Sequence, residues 1–434
     1  MRPLISPAHV ALLLNRCRRA ARKALFCKDA MIGRFSASVL HDRQSELGDN
    51  HQLKIRPRLD TSPYPPFGKG GQGGFFCFIV LLLLFLSACQ TLPRFTVEPL
   101  PRYDAAFQRA AGWTGGDGAY TVALGRGRVL WLFGDSFVGQ VQDGRRTASQ
   151  LVNNSAALQT GTEPSDTSLR FAYRSLPDGS PTAFFQPEDG VGWFWPYHGV
   201  RTSQGLFLFL LQIEPAEGPA GFGFKLAATW MGKIENPDED PENWIVLLQK
   251  IPWSDDKRLF GSSVLLRGEY CYIYGSVDTP AGGWARKQVV LARAPADRLE
   301  DFSAWRFYSD GGWVAEADRA VPVCDDAAAE FSVSYQPAAD RYVLVYTEGG
   351  LSEHIALRLA HQPQGPWGPS IRVYRCPEID WDPRIFCYAG KGHPEIGGSA
   401  QELIVTYVAN ATDLALLEAD ARLYRPRFIK VTFE

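Results

Sequence analysis

The stretch GWTGGDGAYTVALGRGRVLWLFGDSFV, residues 112–138, sets one carboxylate at the start of a predicted strand and another at the end of the next. Apolar residues alternate through Tyr120, Val122 and Leu124, a turn runs through Gly125 and Gly127, and residues 129–133 form a second apolar run. That pattern predicts an antiparallel hairpin. In a hairpin the beginning of the first strand and the end of the second share one edge, so Asp117 and Asp135 are expected side by side. Paired carboxylates at a sheet edge suit acid–base work on a sugar bond. Gly-Asp pairs also make ordinary turns, so the reading depends on the rest of the chain.

Composition narrows the classes. With 45% hydrophobic and 12% aromatic residues, 41 Gly and 30 Pro, the chain has apolar surface for a large core and many turns, which favours an all-β protein. A formal net charge of -2, from 45 basic and 47 acidic side chains, leaves no global basic field, and no nucleic-acid partner is expected.

The N-terminal quarter reads differently. Residues 1–74 lack a periodic pattern and end in a Pro/Gly-rich stretch, as in a disordered extension or a mis-assigned start. FFCFIVLLLLFLSACQ, residues 75–90, has the apolar length of a signal segment and is short for a membrane span. Its end, Leu86-Ser87-Ala88-Cys89, resembles a bacterial lipobox, which implies lipidation of Cys89. An uncleaved membrane anchor is the alternative. Either places a single domain, residues 90–434, in the cell envelope, facing the periplasm or the exterior.

Four further cysteines follow. Cys376 and Cys387 flank a short loop and are a candidate pair in an oxidising compartment. Cys271, within GEYCYIYGS, reads as a small buried hydrophobe, as free cysteine often is. The chain has no CxxC, HExxH or GxSxG, so neither a structural zinc site, zincin chemistry nor Ser-His-Asp hydrolysis is expected, and no metal-ligand set or cofactor is assigned.

Beyond residue 90 the chain repeats one unit five times. The first strands are predicted at 117–124, 194–202, 260–266, 330–335 and 388–396. Second strands follow at 129–133, 206–213, 270–274, 342–346 and 402–408, and third strands at 151–159, 224–231, 288–293 and 355–361. Small antiparallel sheets in radial repetition describe a five-bladed β-propeller, whose blades are apolar on both faces. The last unit lacks a strand unless residues 95–100 pair beside 428–433, closing the ring with both chain ends. In that architecture strand entries (Asp117, Trp195, Ser262, Glu330, Lys391, His393) and exits (Asp135, Glu214, Ser276, Glu348, Asn410) converge on one face. Acidic, aromatic and hydroxyl groups around one cleft describe a carbohydrate pocket.

GWTGGDGAYTVAL with LWLFGDSF, LVNNSAAL, EDGVGWFWP, EFSVSY followed by RYVLVYTEG, LRLAHQPQGPWGP and KGHPEI together resemble the family catalogued as domain of unknown function 4185. The resemblance covers nearly all of the chain after Cys89. It implies a five-bladed propeller, with some members acting as endo-D-arabinanases of glycoside hydrolase family 183, and it carries the two hairpin acids onto Asp117 and Asp135.

Other residues are weighed singly. Glu330 opens an alternation with Ser332 and Ser334 and is a third candidate acid, against a solvated strand start. Trp195 is a candidate sugar platform, although Trp also packs blade on blade. His393 is a candidate substrate or ion ligand, against a structural histidine. Asn153 and Asn154 are candidates to orient a carboxylate or sugar. Glu188 and Asp189 lie in a loop leading to the same face, where exposed loop acids are common. The expected function is hydrolysis of an extracellular furanoside-containing glycan such as arabinan. One of Asp117 and Asp135 would act as base or nucleophile, and the other, or Glu330, would protonate the leaving oxygen. A surface propeller that only binds glycan or protein is the rival.

Overall fold

A computed structural model describes residues 93–217, 223–254, 258–279 and 286–434. The extension 1–74, the apolar run 75–89 and Cys89 lie outside the described residues. The described chain is nearly all strand, with short α-helices at Pro101–Ala106 and Leu414–Ala419, and its sheets are antiparallel, a β-propeller-like arrangement.

Five sheets carry the framework. Sheet I runs Tyr120–Gly125, Arg128–Phe133, Ser155–Thr160, Leu169–Ala172. Sheet II runs Trp193–Thr202, Gly205–Pro215, Phe224–Ile234, Val246–Lys250. Sheet III begins Arg258–Arg267, Tyr270–Asp278, Lys287–Pro295, and sheet IV runs Phe331–Gln336, Arg341–Thr347, His354–Ala360, Ile371–Arg375. Sheet V runs Ile385–His393, Glu402–Ala411, Pro426–Phe433 and takes Phe95–Pro99 as its last strand, from Phe95↔Phe433 to Pro99↔Ile429.

Local chemistry explains these strands. In sheet II, Leu206 to Leu211 and Ile213 are all buried, because a middle strand covered on both faces loses the alternation of a half-exposed one. In sheet I, Gly125 pairs with Arg128, and Arg126 and Gly127 both have positive φ, the requirement of a two-residue type I′ turn.

Hydrogen bonds link the first strands in a closed circuit. His198 Nδ1 accepts from the Val264 N–H at 2.8 Å, so Nε2 carries the proton and donates to the Thr121 carbonyl at 2.8 Å. Val333 N–H donates to Ser263 Oγ at 2.8 Å and Gly392 N–H to Ser332 Oγ at 2.7 Å. His393 returns to Thr121 Oγ1 at 2.7 Å. All but the last of these bonds satisfy a backbone group on a first strand, each of which lies at the edge of its sheet.

Most strand ends shift from the sequence reading, and three of the shifts have a clear local cause. The first strand starts at Tyr120 rather than Asp117, because Gly118 and Ala119 both adopt positive φ, which puts Asp117 in a turn. The third strand of sheet I is Ser155–Thr160 rather than 151–159, because Ser136–Gln142 and Arg145–Val152 form a separate hairpin beside Ala111–Gly116. The first strand of sheet V ends at His393, before Pro394, which has no N–H for a ladder. Cys271, Cys324, Cys376 and Cys387 are buried free thiols, and Cys376 touches Cys387 through its thiol without a bond between them.

Candidate active site

Asp117 and Asp135 meet where the hairpin opens. Asp117 N–H donates to the Asp135 carbonyl at 3.3 Å, and Gly134 N–H to the Asp117 carbonyl at 3.1 Å. Both side chains are half-buried. Each carboxylate has its own set of donors. Asp117 Oδ2 accepts from Tyr424 OH at 2.9 Å and from Tyr388 OH, which itself accepts from Asn410 Nδ2 at 3.2 Å. Asp135 Oδ1 accepts from Trp195 Nε1 at 2.8 Å, and Asn153 donates to the same carboxylate.

Electrostatics separates the two acids. Burial, then the charges of Asp135 and Glu330, push Asp117 up to about 8, against the lowering effect of its two phenols. Burial pushes Asp135 up to about 6, with Trp195 and Asn153 opposing. The two carboxyls interact, so the pair as a whole keeps a proton to higher pH than free carboxyls would, and the stronger upward push falls on Asp117. On Asp117 the phenols occupy Oδ2, which leaves Oδ1 as the oxygen free to carry a proton.

Glu330 joins the group. Its Oε2 accepts from Lys391 Nζ at 2.6 Å, and Lys391 also lies 4.2 Å from the Tyr120 ring centre. Trp195 stands between the acids and an aromatic wall: its ring lies 4.8 Å from Phe224 and 6.3 Å from Trp193. The indole is half-buried and held at its Nε1 by Asp135.

The other expected residues have different placements. His393 is fully buried, bonded to Thr121 Oγ1 and Thr406 Oγ1 at 2.7 Å each, and burial holds it neutral, so both ring nitrogens are committed to the framework. Asn154 is fully buried too: its amide donates to the Phe185 and Phe194 carbonyls and accepts from Phe185 N–H, pinning the strand that carries Trp195. Glu188 is exposed in the loop before Trp193. Of the strand-exit acids, Glu214 pairs with Lys225 and Glu348 with Arg372. No group of three or more His, Cys, Asp or Glu among the described residues is arranged to hold a metal ion.

Sequence reasoning missed Tyr388 and Tyr424 as ligands of Asp117. Tyr388 is the first residue of the strand predicted at 388–396, which begins in the structure at Ile385. Tyr424 lies in the loop before Pro426–Phe433 with a left-handed φ of 60°, uncommon for a bulky residue and a mark of backbone held under constraint.

Gly134 explains how the carboxylates fit. A Cβ there would run into Asp117 Oδ1 and lie 3.8 Å from Trp195 Cδ1, with no left-handed φ to add strain. Gly134→Ala is therefore expected to fold with a melting temperature within a few degrees of wild type but to displace the Asp117 carboxylate. In the cleavage assay for the function proposed below, its rate should fall about 10²-fold, the cost of a misplacement near 1 Å. A wild-type rate in that variant would remove Asp117 Oδ1 from the reacting centre.

Comparison with known structures supplies relatives of the fold. A Bacteroides ovatus protein provisionally named a hydrolase superposes with a TM-score of 0.63 at 17% identity, over 79% of this chain and 92% of its own. The α-L-arabinofuranosidase of glycoside hydrolase family 62 from Coprinopsis cinerea matches at a TM-score of 0.42 and 11% identity, covering 79% of this chain and 97% of its own. A family 43 enzyme from Xanthomonas citri matches at 0.40 and 14%, covering 76% and 92%. None of the curated protein sequences compared with the chain matches it. The family model that matches is not that of domain of unknown function 4185, which the motifs resemble. The chain belongs to the family described as domain of unknown function DUF5005, whose model spans residues 101–433.

Proposed function

We propose that this chain is a five-bladed propeller glycoside hydrolase of the cell envelope, anchored through Cys89, that cleaves a furanoside-containing, arabinan-like glycan. The circuit of hydrogen bonds through five first strands and the pairing of Phe95–Pro99 with Pro426–Phe433 support five blades closed by both chain ends. The observation that carries the activity is the acid pair: adjacent half-buried carboxylates whose surroundings push one to about 8 and the other to about 6. Asp117 gives its Oδ1 proton to the leaving glycosidic oxygen as the bond to the anomeric carbon breaks. Asp135, whose ionised form Trp195 and Asn153 favour, either takes a proton from the water whose oxygen bonds to the anomeric carbon, or bonds to that carbon itself and is released by water in a second step. The hydrolase name of the Bacteroides ovatus relative is in keeping with this reading.

The furanoside substrate comes from the family resemblance and is tested as such. Incubation of the full chain with D-arabinan, L-arabinan and fructan should release oligosaccharides from one of them. Asp135→Asn should lower that release by on the order of 10³-fold, as expected when an essential carboxylate is neutralised. Equal release by the variant would exclude Asp135. Binding of a polymer without release by wild type would favour the binding platform.

A further inference from the structure

Lys391 is a buried cation that the proposed reaction leaves unexplained. Its side chain is 1% exposed. The ammonium donates to Glu330 Oε2 at 2.6 Å and to the Ala389 carbonyl at 3.3 Å, and it faces the Tyr120 ring at 4.2 Å. A local backbone irregularity sets this up. The pairing of Ile385–His393 with Glu402–Ala411 shifts register between Tyr388 and Lys391, and Ala389 adopts a left-handed φ of 59°. In a regular strand, residues three apart point to opposite faces; an extra residue at a bulge turns them to the same side. Tyr388 thus reaches Asp117 while Lys391 reaches Glu330. The bulge matches a site better than it matches a ladder.

We propose that Lys391 is a positioning residue for the acid pair: its ion pair with Glu330 neutralises the third carboxylate of the cluster and leaves the Asp117–Asp135 pair to hold a single proton. The inference rests on the glycosidase reading for its purpose, although not for its test. Burying a lysine is costly unless a charge meets it, and an apolar pair would serve packing alone at least as well. The charge of Glu330 is felt by Asp117, Tyr388, Tyr120 and Tyr197, so its neutralisation reaches the whole cluster. Lys391 is faced by Glu330, Asp117, Tyr120, His198 and His393. Asp117 is faced by Asp135, Glu330, Tyr388, Tyr424 and Lys391. Both histidines are held neutral by burial, so Lys391 is the one charged cation in that set. By this inference Glu330 sets the charge of the cluster and is not the proton donor.

The test is an infrared difference titration of the full chain, reading the protonated-carboxyl band that disappears in Asp117→Asn. This needs no substrate, so failure of the sugar-release assay and failure of this inference are separate results. Lys391→Met should move the Asp117 midpoint up by about one pH unit, a tenfold change in its proton affinity. Glu330→Gln should move it down, and Lys391→Met with Glu330→Gln should bring it back to within a few tenths of wild type. Lys391→Arg should keep the wild-type midpoint. An unchanged midpoint in folded Lys391→Met, or no return in the double variant, would overturn the proposal. If Lys391→Met does not fold, Glu330→Gln decides alone, and an unmoved midpoint there would overturn it equally.

Discussion

Asp117→Asn is expected to reduce glycan cleavage by about 10²–10⁴-fold, the usual contribution of a general acid, and at the same time to stabilise the fold above neutral pH. The second effect follows from proton linkage. A carboxyl whose folded value is about 8, against an ordinary 3.8, binds its proton more tightly in the native state than in the unfolded chain. Between those values the native state holds more protons, so wild-type stability falls as pH rises from about 4 through about 8. The asparagine carries no such cost, and its amide oxygen still accepts from Tyr388 and Tyr424. Because Asp117 is half-buried, solvent screens part of the penalty, and the expected gain above pH 8 is about 1–3 kcal/mol, a few degrees in Tm. Melting curves of both proteins from about pH 4 to 9 should start together and diverge. Parallel curves across that range would mean that Asp117 does not hold its proton in the folded state, and the assignment of proton donor would fall with it.

The parts of this site that were legible in the sequence are those set by local geometry. Gly125, Arg126 and Gly127 determine a tight turn, the apolar runs on either side determine the pairing, and the pairing places Asp117 and Asp135 together. The terminal pairing was legible from an unpartnered strand at each end of the chain. The detailed ligands were not legible, because Tyr388 and Tyr424 reach Asp117 across 271 and 307 residues, a separation at which no periodicity operates. Bulges hide from an alternation argument for the same reason. They shift register between Pro196 and Gly199, between Phe260 and Ser263, and between Tyr388 and Lys391, and each re-aims the side chains that follow. His393 and Asn154 show the converse. Both are polar residues that the sequence reading put at the cleft, yet neighbouring segments consume their hydrogen-bonding capacity, and only three-dimensional contacts reveal it.

Arg146→Met should be the most damaging substitution away from the acids, through a link that the sequence conceals. The Arg146 side chain lies in the separate hairpin, 6% exposed, with its guanidinium 4.7 Å from the Phe137 ring centre. Its Nη2 donates to the carbonyls of Thr114 at 3.0 Å and Leu423 at 2.7 Å, and its Nη1 to that of Leu417. One cation therefore ties the segment leading into Asp117 to the segment leading into Tyr424. Gly115 permits the approach, since a Cβ there would collide with both Arg146 Nη2 and the Tyr424 carbonyl. Methionine keeps much of the apolar volume but leaves three buried carbonyls without a donor, at roughly 1–3 kcal/mol each and not additively. Against this, burial and the nearby Arg425 already hold Arg146 down at about 10, so removing the charge recovers part of the loss. The net expectation is about 3 kcal/mol of destabilisation by urea unfolding. Activity should fall further than stability does, because Tyr424 keeps its left-handed backbone and its bond to Asp117 only while Leu423 is held. At a temperature where the variant is fully folded, its cleavage rate should resemble that of Tyr424→Phe. A fully folded Arg146→Met with the wild-type rate would show that the Leu423 contact does not position Tyr424, and that the strain at residue 424 is maintained by the sheet V strand that follows it.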